Sequence, residues 1–267
     1  MNLWARILVV LTTFFLTSIA AAEFPTKPIK LVVPFPPGGA VDALGRLVGQ
    51  KTSEILGQPI VVDNRAGAAG SIGTEIVAKS TPDGYTLLMG STSSLSVIPN
   101  LQKVPYDPIK DFTPVSLVAY IPHVLVINND VPAKNLAQFI AYAKANPGKL
   151  SYASSGNGTP HQIAVEMFKK MSGVFIVHIP YKGTAPGLTD LMSGQVALMS
   201  VELSTALPYI KAQKIRPLAL LAPKRSTFAP DIPTAAQAGL PDLDITSWYG
   251  VVAVSYTHLT LPTKRIV

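Results

Sequence analysis

The stretch Leu31-Val32-Val33-Pro34-Phe35-Pro36-Pro37-Gly38-Gly39-Ala40-Val41-Asp42 constrains this chain most, because it allows only a strand, a sharp loop and a helix in that order. Residues 29–33 are a short, mainly apolar run rich in β-branched side chains, the composition of a buried strand. Pro36 and Pro37 stop the ladder, since proline has no N–H to give. Gly38 and Gly39 lack a Cβ and let the backbone turn tightly, or let a ligand approach it. A helix opens near Ala40. Val41, Leu44, Leu47, Val48 and Ile55 recur at helical spacing and predict its buried face, with Gly57 as the C-terminal cap. The first N–H groups of that helix have no internal partner, and with the helix dipole they suit a small anion.

The same logic returns further on. Residues 150–154 read as a strand and Ser155-Gly156-Asn157-Gly158 as a loop. Thr159 stands at the N-cap, Pro160 at N1 and His161 next. Ile163, Ala164, Met167, Phe168 and Met171 predict the buried face, and Gly173 ends the helix. Two such helix starts, far apart in sequence, imply two lobes facing one anion. The alternative is a pair of ordinary αβ connections that bind nothing, since open α/β sheets contain many.

Between and after these units the order β-α-β recurs with short connections, which predicts α/β architecture with mostly parallel sheets flanked by helices. Residues 59–63 are a strand. The small-residue loop from Asn64 to Gly70 leads to a helix bearing Ile72, Ile76 and Val77. Arg65 reads either as a ligand contact or as one half of a surface pair. Residues 85–89 form a third strand ending in Gly90-Ser91-Thr92-Ser93-Ser94. Those hydroxyls can donate to a carboxylate, hold waters, or cap the next short helix. Residues 115–119 and 124–127 read as two strands with a proline step between them, suited to a crossing between lobes. Further strands are expected at 174–179, 196–201, 215–221 and 245–254, with helices from 135 to 145, from Thr184, at 205–212 and, briefly, at 234–238. The last strand, with Trp248 and Tyr249, returns to the first lobe.

Composition sets the class. An apolar fraction of 48% against 14% charged residues fits a packed globular chain of 267 residues and excludes a disordered one. Arg6, the apolar run 7–16 and Ala20-Ala21-Ala22 predict a secretory signal peptide over residues 1–22, with Glu23 as the mature N-terminus. The chain has no cysteine, so disulfides and thiolate metal sites are excluded, and periplasm is the simplest address. Loss of Arg6 lowers the formal charge from +7 to +6. The basic residues are scattered, against a nucleic-acid surface and for mild attraction of anions. His123, His161, His178 and His258 lack the spacing of a metal site, and no phosphate loop or Gly-x-Ser-x-Gly elbow is present. No cofactor is expected.

Several of these stretches together resemble one family. They are Pro34-Phe35-Pro36-Pro37-Gly38-Gly39 with Asp42, Val61-Val62-Asp63-Asn64-Arg65-Ala66-Gly67-Ala68-Ala69-Gly70, Pro82-Asp83-Gly84-Tyr85, Tyr152-Ala153-Ser154-Ser155-Gly156-Asn157-Gly158-Thr159-Pro160-His161, Pro180-Tyr181-Lys182-Gly183, and Pro233-Thr234 with Gln237-Ala238-Gly239-Leu240-Pro241. The chain resembles the Bug-type (TctC-like) solute receptors of the tripartite tricarboxylate transporter family over residues 24–253. The resemblance implies a two-lobed periplasmic binding protein (type II-like) with its ligand cleft at the hinge. Residues 23–122 plus 243–254 form lobe 1 and residues 123–242 lobe 2. It implies a small organic acid held by backbone N–H groups and ordered waters, and passed by a monomeric receptor to large and small membrane subunits driven by an ion gradient. Set on the loops read above, the ligand contacts would be Phe35, Gly38, Gly39 and Asp42 from the first loop, and Ser91 and Thr92 from the third strand. The other lobe would add Ser154, Ser155, Gly156, Gly158, Thr159 and His161, then Tyr181, Lys182 and Gly183.

Two departures stand out. Many members carry an acidic residue near Ser200-Val201 that meets the far end of the ligand. Here Val201 is apolar and Glu202 is displaced by one, which predicts that the contact is missing and that amino acids are not preferred. Residues 255–267 match nothing in the family and read as an atypical, non-native tail. The same fold and cleft would equally serve a sensory receptor for a membrane kinase, and Ser154 or Ser155 with His161 could be drawn as a hydrolase pair.

Overall fold

The computed structural model describes residues 24–255, so the expected signal peptide, and all of the expected tail beyond Ser255, lie outside the described residues. Within them the chain runs β1 (Ile29–Val33), α1 (Ala40–Leu56), β2 (Ile60–Asn64), α2 (Ser71–Ala78), β3 (Thr86–Ser91), a wide π-type turn (Thr92–Val97) and α3 (Ile98–Leu101). Then come β4 (Phe112–Ile127), α4 (Leu136–Ala145), β5 (Ser151–Ser154), α5 (Pro160–Ser172), β6 (Val177–Pro180), α6 (Thr184–Met192), β7 (Leu198–Glu202), α7 (Leu203–Lys211), β8 (Arg216–Leu221) and β9 (Thr246–Val254). Among the described residues no helix is long and apolar enough to cross a membrane.

The strands lie in the order β2-β1-β3-β9-β4-β7-β5-β6, with β8 also on β4. Parallel pairing joins β1 to β2 and β3, and β5 to β6 and β7. The pairs β3–β9, β4–β9, β4–β7 and β4–β8 are antiparallel. Each half of the sheet is thus a three-strand parallel unit closed by antiparallel neighbours, and the sheets are mixed rather than mostly parallel.

β4 is one strand where the sequence predicts two. Its first part pairs with β9 as far as Pro122↔Thr246, and from His123↔Glu202 onward it pairs with β7. Pro122 therefore sits where the strand changes partners and a missing N–H costs least. Residues 113–117 are exposed, whereas residues 123–127, held between β7 and β8, are fully covered. Covalent continuity through β4 makes it one of two connections between the halves, the other being the return of the chain from Ile245, held on Leu221, into β9.

Both faces of each half are packed. In the first half Leu31, Val33 and Met89 cover one side and Val32, Leu88 and Val252 the other. In the second, Leu125, Tyr152 and Phe168 oppose Val124, Ala153 and Val201. The helices of the first half sit close because of small residues. A Cβ on Gly45 of α1 would lie 2.7 Å from Val33 Cγ2. This turns Val41, Gly45 and Gly49 inward and leaves Leu47 56% and Ile55 68% exposed, against the expected buried face. In α2, Ile72 and Ile76 are likewise exposed, and Gly73, Thr74 and Val77 are buried. Residues 234–238 make a single turn, with the Ala238 N–H on the Thr234 carbonyl at 3.0 Å, and not the expected short helix.

Candidate functional site

The first loop is braced from beneath by Asp42. Its Oδ2 accepts the Gly38 N–H at 3.2 Å, its Oδ1 accepts Asn64 Nδ2 at 3.0 Å, and Arg46 Nη2 lies 3.0 Å from Oδ1. Asn64 also donates to the Phe35 carbonyl at 2.9 Å. Burial pushes the Asp42 carboxyl up, but the hydrogen bonds from Arg46, Asn64 and Gly38 outweigh it and hold the group below its ordinary value. Asp42 is thereby spent on shaping the loop. Gly39 caps α1 with no side-chain bond, which leaves the first N–H groups of a 17-residue helix without a side-chain cap.

In the other half Ser154 is turned away. Its Oγ meets His178 Nε2 at 2.6 Å and the Gly156 carbonyl at 3.1 Å. Thr159 Oγ1 donates to the same carbonyl at 2.7 Å, so it tightens the loop instead of capping α5. Ser155 faces the seam between the halves, with its Oγ 2.8 Å from His161 Nδ1.

Two cavities with shared walls lie in the seam, beside a third, about 380 Å³, between α1 and α7 that Gly38 helps to line. The inner one, about 30 Å³, takes about two waters at most. Its walls come from the starts of three helices: Gly39, Ala40 and Val41 of α1, Thr159, Pro160 and His161 of α5, and Thr184 of α6. Ser91, Thr92 and Ser93 close one side, and Glu202, Ser247 and Tyr249 the base. The outer cavity, about 520 Å³, is a size that suits a small molecule. It lies between residues 66–70, Ile98 and Gln102 on one side and Ser155, Gly156, Asn157, Pro180, Tyr181, Lys182 and Gly183 on the other. Phe35, Pro36 and Ser155 line both.

The expected residues Phe35, Gly39, Ser91, Thr92, Ser155, Thr159 and His161 thus meet at the inner cavity, and Gly156, Tyr181, Lys182 and Gly183 at the outer one. Gly38, Asp42, Ser154 and Gly158 line neither. Gly158 is a packing residue: at φ +75° it abuts Ile98, and a Cβ there would come within 2.6 Å of Ile98 Cδ1. Arg65 makes the surface pair, on Asp63 at 2.9 Å. Among the described residues no group of His, Asp and Glu is placed to hold a metal.

Glu202 is the residue the sequence reading set aside. Val201 points into the core, as expected of its apolar side chain, but the one-residue shift turns Glu202 into the cavity. The acidic group expected to be missing is therefore present. Its Oε2 lies 3.1 Å from His161 Nε2, and its Oε1 accepts the Tyr249 hydroxyl at 2.6 Å. Burial would raise this carboxyl, but His161, through its charge whenever the ring is protonated and through its hydrogen bond, then His123 and Tyr249, hold it well below the ordinary range. Burial and the adjacent Glu202 charge push the Tyr249 phenol up. His123 sits behind, with Nδ1 3.1 Å from Ser200 Oγ and Nε2 2.8 Å from Ser247 Oγ. Its burial lowers it to about 3 and keeps it neutral. The available signal was position: Glu202 ends a strand beside the point where β4 changes partners, where α/β sheets place ligands.

A two-part α/β sheet whose halves are joined through β4 and the return into β9, with helix starts converging on a seam, is the architecture of a solute-binding protein. The chain belongs to the tripartite tricarboxylate transporter family receptors (TctC), whose family model matches residues 44–264 and so takes in most of the segment set apart as a tail. Solved structures agree. An R. palustris protein solved with adipate is 39% identical at a TM-score of 0.85, covering 88% of this chain and 79% of that one. MatC from Rhodopseudomonas palustris, solved with bound malate, is 33% identical at a TM-score of 0.82, covering 88% and 80%. The periplasmic binding protein BugD is 35% identical at a TM-score of 0.84, covering 88% and 78%. The family and these neighbours are solute-binding proteins.

Proposed function

We propose that this receptor captures a small organic carboxylate in the periplasm and delivers it to the large and small membrane subunits of a tripartite, ion-gradient-driven transporter. The observation that carries the reading is the convergence of the α1, α5 and α6 starts on one cavity that shares walls with a larger one. Unpaired N–H groups and helix dipoles there favour an anion without a buried arginine. The adipate and malate of the two R. palustris neighbours support a carboxylate. Export on residues 1–22 fits the periplasmic neighbour, and mass spectrometry of periplasmic protein beginning at Glu23 is the expected result.

The lobes we assign are residues 23–122 with 243–254, and residues 123–242. The change of partners in β4 at Pro122 and the return of β9 to β3 support that division. A monomer suffices, since both walls of the seam come from one chain. The test is a thermal-shift screen of organic acids on the mature protein. A ligand at a hundred times its Kd adds about 2.7 kcal/mol to the folded state. A clear rise in Tm with adipate, malate or another carboxylate is expected. No shift with any acid would overturn the reading.

A further inference from the structure

Ser155, His161 and Glu202 stand in a row, all buried, along the wall of the inner cavity, with Ser155 at its boundary with the outer one. Of the residues that line both cavities, only Ser155 carries a polar side chain. The hydrogens along this row can be counted. Ionised Glu202 accepts only, so His161 Nε2 carries a hydrogen and donates to Oε2. His161 Nδ1 then has two states. In the neutral ring Nδ1 is a lone pair, and the single Ser155 hydroxyl hydrogen is spent on it. An incoming carboxylate would face serine lone pairs and the uncompensated charge of Glu202. In the charged ring Nδ1–H donates to Ser155 Oγ, the hydroxyl hydrogen is free to turn to a ligand oxygen, and Glu202 is balanced.

We propose that carboxylate capture at Ser155 is coupled to uptake of one proton from bulk solvent by His161, with Glu202 as counter-ion. The inference rests on the carboxylate reading above. The other elements packed around His161 supply no substitute charge. His123 on β4 lies with its ring centroid 5.0 Å from that of His161, but both its nitrogens are engaged by Ser200 and Ser247. Tyr249 on β9 donates to Glu202, and Thr184 on α6 offers only a hydroxyl, 3.4 Å from Nε2. The start of α5 itself disfavours a cation. A charged His161 is therefore favoured most when Glu202 and a ligand carboxylate are both present. Ser155 and His161 are positioning residues that set the protonation state in which the site accepts an anion.

The test is calorimetric titration of the mature receptor with adipate and with malate at pH 7.5, in HEPES and in Tris. Both acids are already ionised at that pH. The expected result is a binding enthalpy that differs between the buffers by about one proton taken up per ligand. Affinity should fall about tenfold per pH unit wherever the free receptor carries neutral His161. His161→Gln cannot be charged and should abolish the uptake and flatten the pH profile. Glu202→Gln should lower the uptake too. Wild-type binding without buffer dependence overturns the coupling while leaving the receptor reading intact, and needs no variant to fold. Undiminished uptake in His161→Gln overturns it as well, by placing the proton on the ligand. No heat with either acid, together with no Tm shift across the wider acid screen, overturns the carboxylate reading and the coupling with it.

Discussion

A carboxylate as covered as Glu202 survives only because each oxygen has a partner, and those partners fix what acid does to the protein. His123 is lowered by burial from 6.5 to about 3, so its neutral form belongs to the folded state. Its contribution to stability is complete above 6.5 and is lost as pH falls from there toward 3. Glu202 is lowered from 4.5, so its contribution is complete above 4.5 and is lost as pH falls below that value. Both act in the same direction. Unfolding free energy should be flat above pH 6.5 and drop on the order of 2–3 kcal/mol by pH 4.5 from His123 alone. Urea titrations across that range read it, and His123→Gln should remove this upper part of the acid loss. Persistence of the whole loss in that variant would assign it elsewhere. At this scale the sequence marked residue types well and roles less well. Phe35, Ser155 and His161 were legible because loop chemistry next to a helix start is local. Asp42 and Ser154 line neither cavity because their partners, Asn64 and His178, come from other elements and engage their side chains, which local sequence does not show.

The elements were legible where a local signal is strong. β1, α1 and the Gly57 cap fall where the apolar run, the proline pair and the glycine put them. What failed was the depth of helix packing, because period-3.6 patterning ranks a large apolar side chain above a glycine. Gly73 shows the physical reason. A Cβ there would stand 2.6 Å from the Arg65 carbonyl oxygen and 2.8 Å from Pro34 Cα. α2 rests directly on the backbone that carries Phe35, with no flexible side chain to give way. Gly73→Ala should therefore cost about 1–3 kcal/mol and also weaken adipate binding, because Pro34 and Phe35 must shift. Gly57→Ala is the contrast. Its φ of 66° is strained for alanine but nothing lies within 4 Å, so it should cost about 1 kcal/mol and leave binding unchanged. Paired urea melts and calorimetry on the two variants distinguish the effects. Equal binding losses in both would show that α2 does not position the loop.

The whole molecule meets itself across the seam through glycines; the resemblance placed Gly38, Gly39 and Gly183 around one ligand, but their direct packing on Pro36, Thr184 and Ala185 was not legible in the sequence. Gly183 is at φ +119°, and a Cβ on it would fall 2.8 Å from Pro36 Cγ and 3.0 Å from Cδ, in the other half. Beside it a Cβ on Gly38 would touch Ala185 Cβ at 3.3 Å, and one on Gly39 would reach Thr184 Oγ1 at 3.4 Å. The α6 start is thus seated on the first loop, and that seating confines the inner cavity to about 30 Å³. A methyl group at position 183 acts in two ways that can be separated. Its backbone strain is paid whether or not the halves touch, and appears as lost stability without ligand. Its clash with the Pro36 ring arises only when they touch, and appears as lost affinity. Gly183→Ala should weaken adipate binding by about tenfold or more, or about 1.4 kcal/mol. The ring atoms it meets are absent from Pro36→Ala. Adding that second substitution should restore at least half of the lost binding energy while leaving the stability loss in place. Such a coupling in a double-mutant cycle is expected only of side chains in contact. Additive losses in affinity would show that Gly183 and Pro36 do not meet in the bound state, and that the seam closes by a different contact.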